Sequence, residues 1–244
     1  MAAQHIHVWH AALALDPVVR GTLDRLLASD ERERAQRFVF ERDRQRYVAT
    51  RGLLRMILGG WLSLEPAALR FETNNHGKPH LIGLPDAHRV FFNVSHSGDH
   101  AVFAVTDRAE VGVDIEVVRE VPDALEIADR FFSPAESDAI RRLPASQLAS
   151  AFFRCWTRKE AYVKGVGSGL FHPLDTFEVT IDSDTPQIRS VSAAGPQLED
   201  WSLHDLSQLP VYAAAVAIRA PDASVRLRTV NLDRLPTTGD VARP

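Results

Sequence analysis

Three short runs rich in Val, Ile and Phe follow one another near the centre of the chain: Val90–Val94, Ala101–Thr106 and Val111–Val118. Each is too short for a stable helix and is bounded by turn residues, so the spacing predicts strands. Ser97-Gly98-Asp99 has hairpin-turn composition and predicts that the first two runs are antiparallel neighbours. A long helical stretch lies on either side. Ser29-Asp30-Glu31-Arg32 opens a polar segment reaching about Leu58, one helix or two, with Phe38, Tyr47, Leu54 and Leu58 as its apolar contacts. Ser133–Lys164 is the second stretch, and Pro144 divides it into two helices. Further strands are expected at Leu69–Glu72, Thr176–Ile181 and Val211–Arg219.

Helix, strands, helix, strands is the order of an α+β protein built from two halves. An ungapped offset of 107 residues aligns Arg51 with Arg158 and Pro66 with Pro173, a faint sign of duplication. The expected halves are 1–111 and 112–244, with a mobile tail from about residue 235 that has little to bury. With 45% hydrophobic and 25% charged residues, the 244-residue chain can fill a substantial core. Its net charge of −4 gives no general attraction to nucleic acid, so a polyanion would need a local cluster of cations. Cys155 is the single cysteine, which excludes an internal disulfide and suits a reducing cytoplasm; it reads as a packing residue. No run reaches the roughly 18 apolar residues of a membrane span, and Met1–His7 lacks a leader pattern, so the expectation is a cytoplasmic protein with no membrane partner.

In Val111-Gly112-Val113-Asp114-Ile115-Glu116-Val117, strict alternation places Gly112, Asp114 and Glu116 on one strand face. Two carboxylates at that spacing repel one another, and a hard cation such as Mg²⁺ would relieve the repulsion. A half-buried strand with a wet acidic face would show the same pattern. Trp156, Glu160 and Lys164 recur every four residues and share a helical face, offering a third carboxylate and an ammonium one turn on; a surface Glu–Lys pair is the plainer alternative. Asn93-Val94-Ser95-His96-Ser97 brings hydroxyls and an imidazole to the end of a strand, where they suit either a phosphate or an ordinary turn. Gly77-Lys78-Pro79 holds one cation in a stiff loop, and Arg34 or Arg37 lies in a mixed-charge segment whose default is a solvated face. No P-loop or G-x-G-x-x-G pattern supplies another phosphate cradle.

In their order and spacing, Gly77-Lys78-Pro79, Asn93–Ser97, Gly112–Glu116, Phe131-Phe132-Ser133-Pro134-Ala135-Glu136 and Trp156-x-x-Lys159-Glu160-x-x-x-Lys164 together resemble the larger, surfactin-synthetase-activating type of 4′-phosphopantetheinyl transferase. The resemblance implies a monomer of two similar α+β halves related by pseudo-twofold symmetry, with coenzyme A bound between them as substrate. It implies that Asp114, Glu116 and Glu160 hold Mg²⁺, with Mn²⁺ a possible substitute, and that Lys78, Ser95, His96, Lys159 and Lys164 contact phosphates, with Arg34 a further candidate. Asp114, Glu160 and Lys164 form the implied catalytic set; Glu136 stays outside it, with a helix-orienting role. The implied reaction moves the 4′-phosphopantetheine arm of coenzyme A to a serine of an apo acyl or peptidyl carrier protein, releasing 3′,5′-ADP. Either Glu160 or a metal-bound water takes the serine proton.

The segment Gly165-Val166-Gly167-Ser168-Gly169-Leu170-Phe171 follows the implied catalytic helix and is a candidate carrier contact through Leu170 and Phe171, with Arg154 or Arg158 guiding an acidic carrier. Packing of both side chains under the loop is the alternative. Two other classes compete with the transferase: a Mg²⁺-dependent pyrophosphate hydrolase and a non-catalytic carrier-binding descendant. The product formed with an acceptor present separates the hydrolase from the transferase.

Overall fold

The computed structural model describes residues 5–85, 88–168, 172–181, 185–191, 198–206, 209, 211–230 and 232. The expected tail from about residue 235 and the residues Gly169, Leu170 and Phe171 lie outside that set. The described residues form an α+β protein. Its first round of elements is β1 (His5–Ala12), α1 (Pro17–Leu26), α2 (Ser29–Gln36), α3 (Glu41–Leu62), a 3₁₀ turn at Pro66–Ala68, β2 (Arg70–Thr73), β3 (Pro79–Ile82), β4 (Phe91–Ser97) and β5 (His100–Thr106). The second round repeats that order: β6 (Val111–Val117), α4 (Ala124–Phe131), α5 (Pro134–Arg141), α6 (Ala145–Val166), a 3₁₀ turn at Leu174–Thr176, then β7 (Phe177–Val179), β8 (Ile188–Ser190), β9 (Ser202–Asp205) and β10 (Tyr212–Ile218). β11 (Ser224–Thr229) then returns to pair in parallel with β1.

The long polar segment is two helices. Phe40 leaves helical geometry between them, and Ser63 ends α3 in the left-handed region at φ 56°. Pro144 caps α6 from outside, as its position in the sequence predicts. The faint offset of 107 holds at the prolines, since Pro66 and Pro173 both sit at the entry to a 3₁₀ turn. It fails in the helices. α3 and α6 each have 22 residues and begin at Glu41 and Ala145, an offset of 104, so Arg51 and Arg158 are not counterparts. A longer connection after α6 accounts for the difference.

Alternation along the strands distributes the core. In β5, Ala101, Phe103 and Val105 pack with α1 and α3, while Val102 and Ala104 face the other way. In β10, Ala215 and Ala217 pack with α4–α6, while Ala214, Val216 and Ile218 join Val102 and Ala104. The four-stranded sheet β11-β1-β5-β4 and the three-stranded sheet β6-β10-β9 therefore share a central apolar cluster, with each group of helices on an outer face. β4 and β5 are antiparallel, as the hairpin composition predicts.

Candidate active site

Strands β4 and β6 edge their separate sheets and are joined by side chains instead of a backbone ladder. The amide of Val113 donates to Asn93 Oδ1 at 3.0 Å, Ser95 Oγ donates to Asp114 Oδ1 at 2.8 Å, and the amide of Val117 donates to Ser97 Oγ at 3.2 Å. Ser97 Oγ in turn donates to Glu116 Oε2 at 2.7 Å. The period of two in Asn93, Ser95 and Ser97 is thus a seam: alternate residues of β4 all point at β6. His96, between them, is exposed on the other side.

The opposite side of the acidic pocket is α6. Val111, Val113 and Ile115 enter the central core, leaving Gly112, Asp114 and Glu116 on the face toward the helix. α6 lies against β6 so closely that a Cβ on Gly112 would meet Ala161 O and Gly165 N at 2.1 Å. That approach requires glycine. It brings Lys164 Nζ to 2.5 Å from Asp114 Oδ1 and 3.0 Å from Ser95 Oγ. Asp114 is 3% exposed, and its second oxygen, Oδ2, is buried with no hydrogen-bond partner. Glu160 titrates above the ordinary carboxylate range because of burial and the charge of Asp114, with Lys164 opposing the rise. Glu116 is also raised, by burial and by Asp114, while the Ser97 hydroxyl pulls it down. Although its ring reaches solvent, the His96 imidazole is shifted down by the protein packed around it and by the charges of Lys164 and Arg46.

The charge of Asp114 raises the proton affinity of both Glu116 and Glu160, and its own Oδ2 is buried and idle, so the cluster has a deficit of positive charge that Lys164 meets on one side only. A divalent cation with oxygen preference fits that deficit. As the side chains stand, no group of three His, Cys, Asp or Glu among the described residues is drawn into a metal cage; the fit rests on Asp114 Oδ2 and on the repulsion.

The other sequence candidates divide. Lys78 Nζ donates to Glu110 Oε2 and to Gly165 O, both at 2.6 Å, so it ties the β2–β3 hairpin to the end of α6. Burial moves its ammonium pKa down, against the opposing charge of Glu110. Asn74 reinforces this tie by donating to Gly167 O at 3.0 Å. Arg34 lies over the Tyr47 ring, 5.6 Å from its centroid. Lys159 does not face the pocket: it is 0% exposed, with Nζ at 2.8 Å from Glu136 and bonded to Leu174 O and Phe177 O. The expected phosphate contact of Lys159 is therefore corrected, because its ammonium is enclosed on the far side of the helix from solvent. Arg158 is corrected as well. It is fully buried and paired with Asp205 through Nη2 at 2.5 Å, so it cannot guide a carrier. Arg154 Nη1 donates to Ile181 O at 2.8 Å.

Sequence reasoning left Arg46, with Arg42 and Arg44, on a solvated mixed-charge face and did not single out Glu110. Arg46 Nε donates to Asp99 Oδ1 at 2.8 Å and adds its charge to the surroundings of His96. Their only signal was charge in helical or loop segments, where a solvated face is the default.

Family models cover both rounds of elements: residues 21–108 match "4'-phosphopantetheinyl transferase, N-terminal", and residues 110–217 match "4'-phosphopantetheinyl transferase superfamily". The chain belongs to the 4′-phosphopantetheinyl transferase superfamily. Within it, the protein is an enzyme of the Sfp-like type. It is 36% identical over 218 residues to the 4′-phosphopantetheinyl transferase HetI of Nostoc sp., spanning 89% of each chain. It is 35% identical over 158 residues to the 4′-phosphopantetheinyl transferase Sfp of Bacillus subtilis, 65% of this chain and 68% of that one. The mouse L-aminoadipate-semialdehyde dehydrogenase-phosphopantetheinyl transferase is 29% identical over 215 residues, 82% of this chain and 69% of that one.

Proposed function

We propose that the pocket between β4, β6 and α6 is where the 4′-phosphopantetheine arm of coenzyme A passes to the serine of an apo acyl or peptidyl carrier protein. The observation that carries this reading is Asp114, buried with Oδ1 held by Ser95 and Lys164 and Oδ2 unpartnered. Asp114, Glu116 and Glu160 would hold Mg²⁺, or Mn²⁺ in its place, which when bound neutralises the pyrophosphate and the carboxylates together.

The remaining work falls to the chain. Glu160, whose proton affinity is raised by burial and by Asp114, accepts the serine proton as Oγ attacks the phosphorus that carries the pantetheine. The bond from that phosphorus to the bridging oxygen breaks, and 3′,5′-ADP departs with the electron pair. Lys164 offsets the negative charge that develops. His96 contacts phosphate oxygens from the end of β4, Ser95 joins it by turning its single hydroxyl hydrogen from Asp114 to a phosphate, and Lys78 contacts them from the hairpin while keeping its tie to Glu110. A serine hydroxyl is a weak nucleophile, so positioning of two bound partners supplies much of the rate. In this reading the enzyme acts in the cytoplasm as a monomer of two similar halves, 1–111 and 112–244.

The test is incubation with Mg²⁺, coenzyme A and a panel of apo-carriers, followed by intact mass. Asp114→Ala and Glu160→Ala should each lower transfer by at least about 100-fold while remaining folded, and Glu116→Ala by less, since water replaces one ligand of an octahedral ion more readily than a whole carboxylate set. A wild-type protein that modifies no carrier, or severe variants that keep nearly full rate at saturating Mg²⁺, would remove this reading.

A further inference from the structure

The two rounds of elements contain the same buried device. In the first, Glu31 of α2 accepts from the Ala28 amide at 2.9 Å and from Arg55 Nε at 2.6 Å, and Arg55 Nη1 donates to Pro66 O at 2.9 Å and Leu69 O at 3.0 Å. In the second, Glu136 of α5 accepts from the Ser133 amide at 2.9 Å and from the Val179 amide at 2.7 Å, with Lys159 Nζ at 2.8 Å. Lys159 Nζ then donates to Leu174 O at 2.7 Å and Phe177 O at 2.5 Å. Arg55 and Lys159 occupy the same place in helices of equal length, the fifteenth residue of α3 and of α6. In both cases a glutamate in the first turn of a short helix grips a cation of the long helix, and that cation closes the carbonyls of the 3₁₀ turn that follows.

In α6 the residue next to this cation is Glu160, with Lys164 one turn further on the same face. The glycine contact at Gly112 and Gly165 sets how near α6 lies to β6. Rotation of the helix about its axis is held in addition by buried charges on its other faces, Arg158 with Asp205 and Lys159 with Glu136. We propose that Lys159 and Glu136 act as a unit that fixes this rotation, so that Glu160 and Lys164 face Asp114; Lys159 is a positioning residue and not a phosphate ligand. This rests on the roles given above to Glu160 and Lys164. A small rotation of α6 would withdraw both groups from the reacting phosphorus without unfolding anything, which lowers the rate and spares binding.

The experiment compares Lys159→Arg, Lys159→Met, Glu136→Gln and the Lys159→Met/Glu136→Gln pair, as full chains, in kcat, coenzyme A affinity by calorimetry and melting temperature. Leu53→Ala, a core truncation in the first round, is a control for lost stability alone. Lys159→Arg should keep kcat within about threefold, because an arginine performs this task in α3. Lys159→Met and Glu136→Gln should each lower kcat at least about tenfold with coenzyme A affinity changed by less than about threefold. The double variant should be no worse than the worse single by more than about threefold, because the two act together. If Lys159→Met does not fold, Lys159→Arg and Glu136→Gln decide. The proposal is overturned if Glu136→Gln keeps full kcat, if Lys159→Met weakens coenzyme A by about tenfold or more, or if Leu53→Ala reproduces the loss of kcat. Glu160→Gln in the wild-type background separates the two levels: an active Glu160→Gln removes the catalytic reading beneath the proposal, whatever the four variants show.

Discussion

Replacing Lys164 by methionine keeps most of the side-chain volume and removes the ammonium that stands 2.5 Å from Asp114 Oδ1. Removing one partner of a buried ion pair costs about 3–5 kcal/mol. The Lys164 side chain is 31% exposed while that of Asp114 is 4% exposed, so solvent screens part of the interaction and about 2–3 kcal/mol is the appropriate figure. For a chain of this size each kcal/mol moves the melting temperature by roughly 2–4 °C, and Lys164→Met should melt roughly 5–10 °C below wild type in EDTA. Adding Mg²⁺ should reverse this selectively. A ligand at about 100 times its Kd returns about 2.7 kcal/mol, and the variant, with no ammonium competing for the carboxylate, should gain more from the ion than wild type does. Melting curves of both proteins in EDTA and in saturating Mg²⁺ measure the difference directly. Equal melting-temperature losses under the two conditions would refute the assignment of a cation to Asp114.

Two further outcomes follow from features away from the reacting groups. Gly112→Ala should destabilise the protein by at least about 3 kcal/mol, because its Cβ would meet backbone atoms of α6 that cannot swing aside. Gly21→Ala, where nothing lies within 4 Å, should be neutral or stabilising by up to about 1 kcal/mol, and chemical denaturation of the pair checks the contrast. His7 is buried between Trp9 and Trp61 with its pKa lowered to about 4 by burial and then by Arg228 and Arg226. Its unfolded form binds a proton first as pH falls below about 6.5, so stability present above that value is lost progressively, by about 3 kcal/mol at pH 4. His7→Phe should flatten this part of the stability profile, and a variant profile parallel to wild type would show that His7 is not the titrating group.

The carboxylate strand was legible in the sequence because a period of two leaves no choice of face, whereas Ser95 and Ser97 read as the turn after a strand ending at Val94 and instead belong to β4. Once Val111, Val113 and Ile115 are buried, Gly112, Asp114 and Glu116 must share the other side, and the same logic orders Asn93, Ser95 and Ser97. α6 was less legible. Phe152, Phe153, Cys155, Arg158, Lys159, Tyr162 and Val163 are all buried, so apolar contacts surround most of the helix and the pattern does not say that a charged residue next to Glu160 points inward. Lys159 was misassigned for that reason. Its partner Glu136 was given a helix-orienting role through the family resemblance, and the structure shows it closing a capping box with Ser133. β1 and β11 escaped notice because their pairing joins residues more than two hundred positions apart, such as Ile6 and Val225, and Ser-Val-Arg-Leu-Arg-Thr is mostly polar. α1 and α4 are short, and their apolar positions were too few to stand out from the connections.

The parallel pairing of β11 with β1 also constrains how the molecule is made. β11 follows the whole second round in the chain, yet it completes the sheet of the first. As the polypeptide leaves the ribosome, β1 can pair with β5 but keeps a bare edge until residues 224–229 arrive. The first half therefore cannot mature as a finished body ahead of the second, because its sheet waits for β11. The loop at 107–110 is consequently a place where the chain can be divided on paper but where the second fragment would leave with the strand that completes the first fragment's sheet.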